Sequence, residues 1–250
     1  MNGWPRCATR STRASVATAP LQFEPIAEDA LLLRFGDRID AALNQRVHAA
    51  LAILRQQMPQ LECVPAYASV LLRFDPRAWH TAGNPPYQAL EQEIRVALGS
   101  GKALTHARPE QEIPVCYGGA HGADLDEVAQ HLDLSIDEVV ARHVGADYRV
   151  AMLGFAPGFP YLLGLDPTLA MPRRRDPRQR VPAGSVAIGG AQTGIYPEQL
   201  PGGWQLIGRT PLRLFNVAAT SPSLLAAGDR VRFRAIDEDE FRHLDAEHGR

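Results

Sequence analysis

The sequence predicts an α+β protein in two parts, a small α/β unit with helices on one face of a sheet, then a closed β-barrel. Three observations carry that expectation. Between Leu21 and about Gly99, strand-like alternation gives way twice to apolar positions at three- and four-residue steps. After Gly145 the helical periodicity stops, and short apolar runs follow one another between glycines and prolines. From Gly154 to Pro211, four glycine-proline clusters (GFAPGFPY, PRRRDPRQRVPAGS, YPEQLPGGW and IGRTP) recur with aromatics and arginines set among them.

Composition narrows the classes. A chain of 250 residues fits one large or two medium domains, at roughly 100–200 residues each. The 45% hydrophobic fraction is ordinary for a globular core, and a net charge of -2 supplies no basic field for nucleic acid or an anionic membrane. No apolar run approaches the ~20 residues that span a bilayer. Cys7, Cys63 and Cys116 form no CxxC pair, which indicates neither a disulfide framework nor a zinc site, and a reducing cytoplasm is expected.

The elements follow in order. Residues 1–20 are rich in Arg, Ser, Thr and Ala, carry no acid and show no period, as expected of a disordered extension. LQFEPIAEDALLLRFG predicts two strands around a polar turn. Asp40 is placed to cap a helix running to about Met58, whose apolar face is Leu43, Val47, Ala50, Leu51, Leu54 and Met58. AYASVLLRFDP predicts a strand ended by Asp75-Pro76, and YQALEQEIRVALG a second amphipathic helix. GSGKALTHARPEQ has a linker's composition, which sets a boundary near Thr105, a first domain over 21–105, a second over 106–240 and a tail over 241–250. Lys102, the chain's only lysine, lies in this linker. The phosphate-loop pattern fails around it, with Val96 in place of the first glycine and Ala103 in place of Ser or Thr.

Beyond the linker, EIPVCYGG predicts a strand entering a glycine turn. Asp124 to Glu127 and Ser135 to Glu138 both have capping-box order ahead of apolar positions. YRVAML, VPAGSVAIGG, WQLIG, PLRLFN and DRVRFRAI then supply the barrel strands.

Candidate site residues cluster in the turn-rich part. Arg173, Arg174, Arg175, Arg178 and Arg180 lie between Pro172 and Val181, where prolines disfavour regular structure, so their side chains are expected to fan from a loop. A guanidinium fork pairs bidentately with carboxylate or phosphate; a solvated arginine face is the plainer reading. Ser185 follows a Pro-Ala-Gly turn, where its hydroxyl can donate to a ligand oxygen or bond its own backbone. His143, near a helix end, suits acid-base chemistry or simply favours the helix dipole. Tyr196 and Trp204 can wall a pocket or plug a barrel end, and Arg209-Thr210 precede a proline within reach of the same mouth. Gly154, Gly158, Gly202 and Gly203 read as backbone-shape residues.

GFAPGFPYLLGL, PRRRDPRQRVPAGSVAIGG, IYPEQLPGGW and IGRTPLRLF, in this order and spacing, resemble the family of the 5-oxoprolinase B subunit. That family also includes allophanate hydrolase subunit 1 and the sporulation kinase inhibitors. Softer marks are VPAYASVLLRFDP, EIPVCYGG and RHVGADYRVAMLGF, and the resemblance runs from about Phe23 to Ile236. Pro25 to Asp29 depart from the family's usual early turn.

The resemblance implies a cyclophilin-like β-barrel as the second domain. It implies a hydrolase, an ATP-dependent 5-oxoprolinase opening the lactam to L-glutamate, that works only with two partners, a second barrel-type protein (the C subunit) and a TIM-barrel-like one (the A subunit). ATP is consumed by that complex, and no standard nucleotide motif assigns it to this chain. On the positions that match, His143, Arg178 and Ser185 become catalytic candidates. Arg173, Arg174, Tyr196, Trp204, Arg209 and Thr210 become substrate-binding ones. No metal is called for. Allophanate hydrolysis in urea breakdown and inhibition of a histidine kinase are the alternatives within the family. Prolyl isomerisation rests on fold analogy alone.

Overall fold

The alternation after Leu21 folds as two antiparallel strands, β1 (Gln22–Ala27) and β2 (Ala30–Arg34), about the expected polar turn. The computed structural model describes residues 20–80, 83–100 and 109–248. The N-terminal extension before Pro20, Lys102 and the boundary near Thr105 fall outside them.

Asp40 caps α1 (Ala41–Gln57), its carboxylate accepting the Leu43 backbone N–H at 2.9 Å. β3 (Glu62–Pro65) and β4 (Ser69–Arg73) complete an antiparallel sheet in the order β1-β2-β4-β3. β3 is four residues of mixed polarity, too short to show a period. Asp75 ends the β4 segment by capping the short turn Pro76–Trp79, and α2 (Pro86–Ser100) follows. Leu31, Leu33, Val70 and Leu72 from one face of the sheet pack with Val47, Leu51 and Leu54 of α1 and with Leu90 and Ile94 of α2. Both helices therefore cover a single face.

The second part contains β5 (Gln111–Tyr117), α3 (Leu125–Leu132), α4 (Ile136–Val144), β6 (Tyr148–Leu153) and β7 (Pro160–Leu163). After them come β8 (Arg178–Val181), β9 (Ser185–Gly189), β10 (Gln192–Ile195), β11 (Leu200–Gly202) and β12 (Gln205–Arg209). β13 (Arg230–Ile236) and α5 (Glu238–His248) end the described chain. Seven strands close a barrel in the order β10-β7-β6-β13-β5-β12-β9, with β13 and β5 parallel and the other pairs antiparallel. Closure removes the open edges that a sheet would otherwise expose. Ile113, Val150, Leu162, Val186, Ile188, Ile207 and Phe233 fill its core, joined by Leu125 and Val128 of α3 and Val139 of α4.

Three expectations are corrected here. The arginine segment is not wholly a loop, since Arg178 and Arg180 lie on β8, which pairs with β11 as a two-stranded ribbon apart from the barrel. Prolines flank that short edge strand without interrupting it. PLRLFN forms no strand; only an isolated bridge, Phe215 to Ser223, survives there. Residues 241–248, within the expected tail, belong to α5.

The two parts touch through α1. Asn44 Nδ2 donates to the carbonyls of Ala66 and Tyr67 in its own unit and to that of Ala151 in β6. Tyr67 also stands edge-on to Tyr161 of β7, with ring centroids 6.0 Å apart.

Candidate functional site

An aromatic cup opens beside the barrel where β7, the loop before β8, and the segment between β10 and β12 meet. Phe159 is its hub. The ring stands perpendicular to Trp204 at 5.8 Å and to Tyr196 at 5.2 Å, and lies 4.9 Å from Tyr161. Such edge-to-face contacts fix ring orientation as well as burying area.

Glycine is needed here for space. A Cβ on Gly189 would lie 2.5 Å from the Trp204 ring, and one on Gly202 would lie 2.2 Å from the Tyr196 hydroxyl. The turn Gly154 to Gly158 brings Phe155 to the rim, 61% exposed and with φ of 70°. A left-handed aromatic residue is costly and is held by its surroundings. The cup holds about 220 Å³, smaller than the ~300–1,000 Å³ of sites for drug-sized ligands.

Two arginines give the cup its charge. Arg173 lies over the Trp204 ring, its guanidinium carbon 5.7 Å from the centroid, and makes no ion pair among the described residues. The Arg174 backbone N–H donates to Gly203 O at 2.6 Å, and its Nη1 donates to Asp124 Oδ1 at 3.1 Å. Its Nε is buried with no hydrogen-bond partner.

Asp124 corrects the sequence reading most sharply. It stands at the N-cap of α3 but makes no side-chain capping hydrogen bond. Its carboxylate, 3% exposed, instead accepts Arg178 bidentately at 2.6 and 2.8 Å, Arg174, and the Leu206 backbone N–H at 2.7 Å. A buried charge needs this degree of pairing. Arg178 is thus occupied behind the cup and does not line it, and Asp124 positions Arg174.

Of the sequence candidates, Arg173, Arg174, Tyr196 and Trp204 line one cavity. The others lie elsewhere. Ser185 is buried at the start of β9, and its carbonyl accepts the Tyr196 N–H. Thr210 is fully buried, its N–H donating to Gly184 O. Arg209 donates to Ala183 O at 2.8 Å and lies over the Phe241 ring. These three brace the turn before β9, at the end of β12 away from Trp204.

His143 is fully buried within the barrel. Its Nδ1 is 2.8 Å from the Tyr117 hydroxyl and its Nε2 is 3.1 Å from Thr193 Oγ1. Burial pushes its pKa down from 6.5 to about 3, so near neutrality it is an uncharged core residue, neither a dipole partner nor a cup residue. The unfolded chain takes up this proton first as pH falls. Stability from the neutral ring is therefore complete above pH 6.5 and lost between there and about 3, with a slope approaching ~1.4 kcal/mol per pH unit. Urea midpoints at pH 7, 5 and 4 are expected to fall more steeply for wild type than for His143→Gln; parallel declines would refute this.

Phe155, Phe159 and Tyr161, which line the cup, and Asp124, which holds its arginines, were not among the sequence's site candidates. The aromatics stand in GFAPGFPY, where glycine and proline dominate the pattern. Tyr161 and Tyr196 have their phenols pushed up by burial. The cup thus offers guanidinium donors and aromatic faces, chemistry suited to an anionic or amide ligand, and no lining group suited to proton transfer near neutrality.

A helix-covered sheet set against a closed seven-stranded barrel, with an arginine-lined aromatic cup on the barrel, defines the class. The chain matches the carboxyltransferase domain, subdomain C and D, over residues 21–225 and belongs to that family. It is 42% identical over 231 residues to the 5-oxoprolinase B subunit of Bacillus subtilis, covering 90% of this chain and 96% of that one. The crystal structure of TTHA0988 aligns with a TM-score of 0.71 and 40% identity over 83% of this chain, which spans 40% of that longer one. Kluyveromyces lactis urea carboxylase shares the fold, with a TM-score of 0.65 at 20% identity over 91% of this chain and 23% of that one. Among the described residues, no helix is long and apolar enough to cross a membrane.

Proposed function

We propose that this chain is the B subunit of an ATP-dependent 5-oxoprolinase and that its cup holds the lactam while partner proteins complete the reaction. The observation that carries this reading is the 42% identity to a 5-oxoprolinase B subunit across nearly the full length of both chains. The chemistry of the cup fits it. 5-Oxoproline is a flat five-membered lactam bearing a carboxylate, small enough for about 220 Å³. The Arg173 and Arg174 guanidiniums supply donors for the carboxylate, and Trp204 and Tyr196 supply faces for the ring.

Amide resonance makes the ring hard to open. Phosphorylation of the lactam oxygen by ATP, then attack of water, overcomes it, and both steps need cations and a base beyond those in the cup. The nucleotide and the remaining groups are assigned to a second barrel-type protein, the C subunit, and a TIM-barrel-like A subunit, or to faces shared with them. ATP-dependent glutamate release, with the complex reconstituted and each component omitted in turn, tests the proposal. Loss of activity without this chain is expected; full activity without it would overturn the assignment. Allophanate carries the same pairing of amide and carboxylate and is the second reading. Ammonia in place of glutamate as product would select it.

A further inference from the structure

Away from the cup, three metal-ligand side chains from three elements converge at one end of the barrel. Cys116 is the penultimate residue of β5, His121 follows the Gly118-Gly119 turn, and Glu238 opens α5. Parallel pairing sets Cys116 opposite Ile236, two residues before Glu238. The left-handed glycines (φ of 71° and 52°) let the chain double back, and the His121 N–H returns to Gly118 O. One ligand atom from each side chain lies within 4.8 Å of the other two.

The His121 side chain is only 10% exposed, and its Nε2 is 2.7 Å from Glu238 Oε2. Its Nδ1 is buried and has no hydrogen-bond partner. A buried ring nitrogen usually has a partner; here the imidazole is fixed from its Nε2 side, where Glu238 stands. Glu238 Oε1 accepts Arg242 Nε at 3.1 Å, which orients the carboxylate toward the imidazole. Phe241 packs on the imidazole ring, with centroids 4.2 Å apart.

We infer that Cys116, His121 and Glu238 form a binding site for a zinc-class divalent cation. Thiolate, imidazole and carboxylate at a four-coordinate centre are a donor set zinc accepts, with water as fourth ligand on the open side where the Glu238 side chain is 47% exposed. The thiolate and carboxylate charges balance the dication, and the thiol proton leaves to solvent as the metal binds. Metal–ligand bonds of about 2.0–2.3 Å put tetrahedral ligand atoms roughly 3.3–3.8 Å apart. From separations of at most 4.8 Å the thiol side has to close by no more than about 1.5 Å, while the His121–Glu238 pair opens from 2.7 Å as the ion replaces their hydrogen bond. Arg242 is the positioning residue, and the bound ion would pin α5 to β5.

Cobalt(II) serves as the spectroscopic probe, added to untagged, chelator-stripped full-length protein, with zinc as competitor. Expected is one equivalent with a thiolate-to-cobalt charge-transfer band. The band should vanish in Cys116→Ala and persist in Cys63→Ser and His243→Ala. The soluble-surface variant Glu238→Gln, which leaves the core intact, should bind at least about tenfold more weakly, and Arg242→Ala about 10–100-fold more weakly. No charge-transfer band in wild type, a band retained in Cys116→Ala, or undiminished affinity in Glu238→Gln would each overturn the site.

Discussion

Replacing Asp124 with alanine is expected to lower stability by ~2–3 kcal/mol and to cripple the cup at the same time. Removing one partner from a fully buried ion pair costs ~3–5 kcal/mol, because the other charge is left without compensation. Here Arg178 and Arg174 keep about a quarter of their side-chain surface in water, at 25% and 29% exposed, which places the cost below that range. The Leu206 N–H also loses its acceptor. In a domain of this size the melting temperature should drop by about 5–10 °C. Asp124→Asn, which can still accept from Leu206, should lose less. A melting temperature within a degree of wild type for Asp124→Ala would show that the arginines re-pair and that the carboxylate is not their anchor.

Arg174→Ala is expected to act on ligand rather than on fold. A charge-assisted hydrogen bond contributes about 1.5–3 kcal/mol, so KM for 5-oxoproline in the assembled complex should rise ~10–100-fold. Arg174→Lys should not restore it. Lysine's single ammonium cannot serve Asp124 and a ligand along one planar fork, as the guanidinium can. Unchanged KM in both variants, in a complex that still assembles, would remove the cup from substrate binding.

Much of the fold could be read from residues alone, because it rests on local signals. The Asp40 cap, the α1 periodicity and the Ser135 capping box, with Ser135 Oγ and Glu138 Oε2 each accepting the other residue's N–H, all appear as the pattern requires. Asp124 shows where such reasoning fails. Its spacing to Glu127 is that of a capping box, yet Arg174 and Arg178, 50 and 54 residues away, hold its carboxylate. Nothing local distinguishes the two outcomes.

The candidate site divides in the same way. Arg173, Arg174, Tyr196 and Trp204 were legible because a wall of aromatics and arginines set in glycine turns is unusual composition. His143 on α4, and Ser185, Arg209 and Thr210 within the turn-rich stretch, are polar residues that meet the barrel's own hydrogen-bonding needs, and sequence does not separate those from ligand groups. Cys116 and His121 are five residues apart, but Glu238 lies 117 residues beyond His121, so no spacing rule connects all three.

The parallel pairing of β13 with β5 imposes an order on biosynthesis. β13 is the last barrel strand to leave the ribosome, and it fills the gap between β5 and β6, two of the first. Until residue 236 has emerged, β5 and β6 each present an unpaired edge, whereas the helix-covered sheet, complete by residue 100, has its core already assembled. A nascent or truncated chain ending before β13 is thus a folded unit trailing an open sheet, the form most open to edge-to-edge association and to chaperone capture.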